Sequence, residues 1–321
     1  MQELKVAMLG PTGVGKTSLL AAMYDQFSSS IGKTNLQLVA DDESEGDLQD
    51  RLIELKSLAD DFEATGGLEG TKGEPADLRS FRFALGRRGK KPSLELQFWD
   101  YPGGFHIEPS PERRQFIQKL LHECVAIIIA IDAPALMEKN GKYHELMNRP
   151  QQMTNLFRRF YQDLDSPRLV IFAPIRCEKY MQNSRKTDEL CQKIKDGYKG
   201  LFDFFSAEDL RNKVAVVITP VQTIGTVIFS TIKIVDGNPK FRFHKVSHDA
   251  SYEPKDSEQP LRFLLSFLLK MHLSHRETGI FGFLRQVFGG DKHLEDAILD
   301  LSKGCKSSNG FAVVQGNGLL K

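Results

Sequence analysis

Residues Gly10 to Thr17 read Gly-Pro-Thr-Gly-Val-Gly-Lys-Thr and follow directly on the apolar run Leu4 to Leu9. The pattern G-x-x-x-x-G-K-[ST] between a strand and a helix is a phosphate-binding loop, because its glycines turn backbone N–H groups inward while the helix N-terminus points partial positive charge at the same anion. The helix is expected from Ser18-Leu19-Leu20-Ala21-Ala22-Met23-Tyr24, which contains good helix formers and no breaker. In this reading Gly10 makes the turn, Gly13 and Val14 lie in the cradle, and Gly15 permits close approach. Lys16 bridges the β- and γ-phosphates, Thr17 offers its hydroxyl to Mg²⁺, and Ser18 reaches the α-phosphate. The expected ligand is a nucleoside triphosphate.

Length and charge bound the rest. At 321 residues the chain exceeds a minimal nucleotide-binding domain and suits one enlarged domain with a substantial core. A formal net charge of +1 supplies no global field to steer it toward nucleic acid or an anionic membrane. The four cysteines, Cys124, Cys177, Cys191 and Cys305, are far apart and form no C-x-x-C pair, which argues against zinc and for a reducing compartment. The N-terminus reads as a strand rather than a signal peptide, and the longest apolar run, Val125 to Ile131, is too short to span a bilayer. A cytoplasmic location is the expectation.

Strand-like runs at Leu4 to Leu9, Phe81 to Leu85, Leu94 to Trp99, Val125 to Ile131, Leu169 to Ala173 and Val214 to Ile218 alternate with helical stretches. That order predicts an α/β fold with a mostly parallel central sheet covered by helices on both faces. Ser110 and Pro111 mark one helix start, and Pro260 another. The segment 28–78 is a long, acid-rich insertion in which Leu48, Leu52, Leu55, Leu58 and Phe62 share one helical stripe. A second insertion, 226–247, reads as a β-hairpin of Thr226 to Ile234 and Lys240 to Val246. We expect a nucleotide-binding domain over 1–275 and a C-terminal extension over 276–321, partly helical, whose glycine-rich end is a mobile tail or a small hairpin within Phe311 to Leu320.

Leu94-Glu95-Leu96-Gln97-Phe98-Trp99-Asp100 is an apolar strand ending in a carboxylate, the arrangement that sets an aspartate beside the phosphate-loop magnesium. Asp100-Tyr101-Pro102-Gly103 completes D-x-x-G, whose glycine N–H contacts the γ-phosphate in switch GTPases. Together with Ala173-Pro174-Ile175-Arg176-Cys177-Glu178-Lys179-Tyr180 and Ile218-Thr219-Pro220-Val221-Gln222-Thr223, these motifs resemble the TRAFAC clade of P-loop GTPases, and more closely its bacterial double-GTPase members. The resemblance covers roughly Leu4 to Leu273 and implies a Ras-like G domain, GTP/GDP with Mg²⁺, a molecular switch that signals to an effector or activating protein, and for some members service in conflict or defence systems.

The resemblance also assigns roles. Arg176 and Glu178 stand where such GTPases carry N-K-x-D, so Arg176 would pack on the base and Glu178 would accept from guanine; both depart from the common pattern, and adenine stays open. Thr219 would supply a backbone contact to the guanine oxygen. Thr71 is the candidate switch I threonine for Mg²⁺ and the γ-phosphate, with Thr65 and Thr34 as alternatives and an ordinary loop threonine as the plain reading. The residue after Gly103, often a water-positioning glutamine, is Gly104. That leaves His106 as a candidate, otherwise a solvated loop histidine, and Arg113 and Arg114 as candidate charge stabilisers, otherwise exposed helix residues. Slow hydrolysis is expected, accelerated by a partner or by self-association. Two rival classes are a triphosphate-dependent interaction module without hydrolysis and an ATP-dependent enzyme. The apolar stretch Ile280 to Phe288 packs on its own domain or docks a partner or a membrane surface.

Overall fold

A computed structural model describes residues 2–11, 13–30, 36–59, 63–65, 79–101, 111–235, 238–274 and 292–320. β1 (Gln2–Leu9) feeds α1 (Lys16–Ser30), followed by β2 (Leu36–Ala40), α2 (Asp42–Leu58), β3 (Glu63–Thr65), β4 (Arg79–Arg87), β5 (Leu94–Asp100) and α3 (Pro111–Glu123). The fully buried β6 (Ala126–Asp132) leads into α4 (Ala133–Met137), α5 (His144–Asn148) and α6 (Pro150–Phe160). Then come β7 (Arg168–Ile175), α7 (Ser184–Gly197), α8 (Lys199–Phe205), α9 (Glu208–Arg211) and β8 (Val214–Ile218). β9 (Val227–Val235), β10 (Asn238–Lys245), α10 (Gln259–Leu273), α11 (Lys292–Ser302) and β11 (Ala312–Gln315) close the chain.

The central sheet has eight strands in the order β11-β8-β7-β6-β1-β5-β4-β2. β8, β7, β6, β1 and β5 run parallel; β4 pairs antiparallel with β5, β2 antiparallel with β4, and β11 antiparallel with β8. The two-residue period of a strand divides its side chains between two cores. In β6, Ala126, Ile128 and Ala130 join the core under α1 and α10, whereas Ile127, Ile129 and Ile131 join the one under α6, α7 and α8. α1 commits Leu19, Leu20, Met23 and Phe27 to the first core, and α6 commits Met153 and Phe157 to the second. The chain therefore leaves β1 and β6, which are neighbours, toward opposite faces. That divergence opens a crevice at the carboxyl ends of the strands, where an open α/β sheet takes its ligand.

The insertion at 28–78 is more ordered than its helical stripe foretold. It holds β2 on the sheet edge, α2, and β3, which joins a second sheet of three strands in the order β3-β10-β9. α2 begins where Asp41 accepts from the Ser44 amide at 2.9 Å, with Asp42, Glu43 and Glu45 set against the positive end of the helix. It buries Leu48, Leu52 and Leu55 and ends at Leu58, short of Phe62, which lies outside the described residues. The expected hairpin is present: Val235 opposite Asn238 brackets residues 236–237.

The C-terminal end requires a correction. In place of a mobile tail or a local hairpin, Ala312 and Val313 pair antiparallel with Ile218 and Val217. Leu319 and Leu320 enter the main core, and the Leu320 carbonyl accepts from Ser266 at 3.0 Å. The described part of the extension is thus built into the domain. α11 buries Leu294, Ala297, Ile298 and Leu301 in the same core as α10. Ile298→Ala is expected to lower the unfolding free energy by about 2–5 kcal/mol in urea denaturation; an unchanged midpoint would show that α11 contributes nothing to the core.

Candidate functional site

The loop after β1 has the conformation its sequence demands. Gly10, Gly13 and Gly15 have φ of 142°, 74° and 107°, the region that L side chains avoid. At Gly10 space is forbidden as well, because a Cβ there would lie 2.6 Å from the Ala130 carbonyl oxygen of β6. The first bond of α1 runs from Leu19 N–H to the Gly15 carbonyl at 2.8 Å, so the amides before it form the open amino end of a helix. Val14 makes a long 3.4 Å contact with the Pro11 carbonyl, and Ser18 is buried in the first turn. These amides point their partial positive charge at one place, the geometry that holds an anion.

Lys16 crosses this loop. Its Nζ donates to the carbonyls of Gly10 and Pro11, each at 3.3 Å, and lies 3.5 Å from Asp100 Oδ1. Thr17 Oγ1 donates to Asp100 Oδ2 at 2.9 Å. β5, running parallel to β1 with Asp100 opposite Met8, delivers the carboxylate to this point. Asp100 Oδ1 is buried, accepts no hydrogen bond from the described residues, and is ion-paired with Lys16. A hydroxyl and a carboxylate with an unfilled buried oxygen are hard donors of the kind Mg²⁺ takes, one or two from protein and the rest from phosphate and water. Among the described residues no group of three or more His, Cys, Asp or Glu side chains gathers into a separate metal site.

Beyond β7 the chain turns at Arg176, whose φ is 58°. The guanidinium donates to the Gly13 carbonyl at 2.6 Å and to Asp132 Oδ2 at 2.9 Å, tying this loop to the phosphate loop. Asp132 is 1% exposed; its other oxygen caps α4 by accepting from the Ala135 amide at 2.9 Å. Its backbone is clamped by Asn148, which accepts from Asp132 N–H at 2.8 Å and donates to the Asp132 carbonyl at 3.0 Å. The same amide contacts His144 Nδ1 at 3.1 Å, and His144 Nε2 faces the Gly197 carbonyl at 3.2 Å. This pairing suits a neutral ring protonated on Nε2, and burial lowers the His144 pKa accordingly. Sequence reasoning missed Asp132, although an aspartate closing an apolar strand before Ala133-Pro134 is a helix-start signature.

Glu178 is buried beside Arg176 and accepts on Oε1 from the amides of Ile224 at 3.3 Å and Gly225 at 3.2 Å. Burial raises its pKa, against the opposing pull of those amides and of Arg176. The 222–226 loop is braced from outside. Gln222 and Lys255 exchange backbone bonds, Glu253 donates to the Ile224 carbonyl, and Thr226 donates to Ser251. Gly225 is obligatory there, since a Cβ would come within 1.7 Å of the Glu253 carbonyl oxygen. Gln26 at the far part of α1 fixes the same strap by donating to the Pro254 carbonyl and accepting from Ser257 N–H.

The Thr219 amide donates to the Phe172 carbonyl at 2.8 Å, because pairing with β7 continues past the end of β8. Val221 likewise donates to Pro174 at 2.9 Å. Gly103, His106, Thr71 and Thr34 lie outside the described residues, as do the side chains of Arg113 and Arg114. Thr65 lies in β3, opposite Arg242 of β10. No helix among the described residues is long and apolar enough to cross a membrane.

The family model Double-GTPase 2 matches residues 5–213. No curated protein matches the chain. Among solved structures, the signal recognition particle receptor SRb-GTP/SRX complex from Chaetomium thermophilum is similar at 17% identity and a TM-score of 0.37, covering 70% of this chain and 93% of that one. The S. cerevisiae Ski7 GTPase-like domain, bound to GTP, is similar at 12% identity and a TM-score of 0.37, covering 69% of this chain and 43% of that one.

The buried Glu178 gives the site a pH signature. Its carboxyl holds a proton more tightly folded than unfolded, so stability falls as pH rises from the ordinary carboxyl value of 4.5 through the higher folded value, and is unaffected below both. Glu178→Gln keeps an acceptor for Ile224 and Gly225 without the buried charge. Urea unfolding of the nucleotide-free variant is expected to show a flatter pH profile above 4.5 and higher stability than wild type at neutral pH; a superimposable profile would contradict it.

Proposed function

The chain belongs to the Double-GTPase 2 family, and from that premise we propose that it is a guanine-nucleotide switch that binds GTP with Mg²⁺ and hydrolyses it slowly to GDP. The observation that carries this reading is the hydrogen bond from Arg176 to the Gly13 carbonyl, which joins the anion-binding loop to the loop where the family reads its base. Lys16 and the amides of Gly13 to Ser18 hold the polyphosphate. Lys16 leaves its two loop carbonyls for phosphate oxygens, exchanging neutral acceptors for charged ones, which make stronger bonds. Thr17 and Asp100, with Thr71 from switch I, hold the Mg²⁺, which neutralises phosphate charge when bound. The stem of Arg176 packs on the base and Glu178 accepts from guanine, its Oε1 already steadied by two amides. In this reading Gly103 contacts the γ-phosphate, and His106 is a candidate for the attacking water beside its plain reading as a solvated loop histidine.

Gly104, with no side chain to position water, supports the slow intrinsic rate and a need for a partner or a second copy. The same observation favours one alternative, a GTP-dependent interaction module whose hydrolysis is negligible. We place the protein in the cytoplasm, signalling to an effector in a bacterial conflict or defence system.

Calorimetric titration with GTP, GDP and ATP, with and without Mg²⁺, tests the reading. Guanine nucleotides are expected to bind in preference to ATP, and Mg²⁺ to strengthen GTP. Lys16→Ala is expected to weaken GTP roughly 10- to 150-fold, the equivalent of about 1.5–3 kcal/mol for a hydrogen bond to a charged group. Phosphate release at several per second from the isolated protein would contradict slow hydrolysis; none at all over hours would favour the interaction module.

A further inference from the structure

The hairpin β9–β10 is an insertion, yet its buried face sits on the base loop. The Arg176 guanidinium lies over the Phe243 ring, 5.6 Å from its centroid, and the Lys179 ammonium lies over the Phe229 ring at 4.8 Å. The two phenylalanines are cross-strand partners, with ring centroids 6.1 Å apart and planes at 83°. Both are buried. The cations on either side of Cys177-Glu178 are therefore each seated on one ring of a single hairpin.

Arg176 uses all that a guanidinium offers. One edge meets Asp132, another meets Gly13, and a face meets Phe243. An ammonium is a point charge and cannot present two edges and a face at once. Its left-handed backbone, at φ 58°, is costly for a non-glycine residue and persists only where surroundings hold it. Free in solvent, the long side chain would lose rotamer freedom on packing against a base; clamped beforehand, it has little left to lose.

We propose that Phe243 is a positioning residue for nucleobase binding: with Asp132 it holds Arg176 in place, and the inserted hairpin is the reason an arginine serves here instead of the lysine common to such sites. This rests on the nucleotide reading above. Phe243 reaches the base through Arg176, and β10 carries it there while also pairing Phe243 with Ala64 of β3.

The test compares two probes on the full chain by calorimetry, GTP and inorganic tripolyphosphate, both with Mg²⁺. Phe243→Leu, which keeps volume but removes the π face, is expected to weaken GTP roughly 3- to 30-fold, in keeping with a desolvated cation–π contact, and to leave tripolyphosphate unchanged. Phe243→Tyr and Phe243→Trp are expected to stay close to wild type. In an Arg176→Ala background, Phe243→Leu is expected to add nothing. Wild-type GTP affinity in Phe243→Leu, equal losses for both probes, or additive losses in the double variant would each overturn the proposal. Should Phe243→Leu fail to fold, Arg176→Lys decides: a GTP loss of similar size supports the clamp, and undiminished affinity overturns it. Failure of the wild type to bind GTP while binding tripolyphosphate would instead refute the nucleotide reading itself.

Discussion

The Gly13 carbonyl and the Arg176 guanidinium, 2.6 Å apart, connect the two halves of the site, and the rest of the crevice is arranged so that they can meet. The meeting depends on β1 and β7 flanking β6 in a parallel sheet, each ending at the same rim. It depends also on Gly10, where any side chain would strike Ala130 and push the phosphate loop away from β6. On the other side Asp132 holds the guanidinium from a position that admits almost no water, so their attraction is little screened. Removing Arg176 would leave the buried Asp132 charge without its partner, which is costlier than never having had the pair.

Burial of polar groups marks the functional region throughout. Lys16, Thr17, Ser18, Asp132, Asn148, His144, Glu178 and Thr219 are all buried, and so are polar groups elsewhere, Arg168 among them. Most of these groups find partners within the chain, as the cost of burying polar atoms requires. The exceptions are informative. Asp100 Oδ1 is buried without a hydrogen bond in the very place where a cation would satisfy it, whereas Thr219 Oγ1 is unsatisfied beside an amide already committed to β7. The chain of contacts from Arg176 through Asp132 and Asn148 to His144 carries this ordering across to the start of the second core.

Much of this was legible in the sequence because it is local. A glycine-rich loop between an apolar run and a helix-forming run, and an aspartate at the end of β5, each reveal their placement within about ten residues. The central strands were readable for the same reason: burial on both faces makes Val125 to Ile131 continuously apolar. β2 and β11 escaped notice because Leu36–Ala40 and Ala312–Gln315 are short edge strands whose pairing partners are distant in sequence. Nothing in the neighbourhood of Thr219 says that pairing runs on beyond β8. Phe243 could not have been found at all: its role depends on a contact between the hairpin and Arg176 of the loop after β7, and a phenylalanine in a half-buried hairpin carries no local mark of what its ring will face.

The account's central claim is that one ligand spans both loops. Hydrogen exchange on the wild-type protein measures this directly, by comparing amides in 10–18 with amides in 174–180 and 219–225. GTP with Mg²⁺ is predicted to slow exchange in all three stretches, and tripolyphosphate with Mg²⁺ in the first alone. If GTP protects 10–18 and leaves both distal stretches exchanging as in the free protein, the loops are not joined by a nucleotide and the account is wrong.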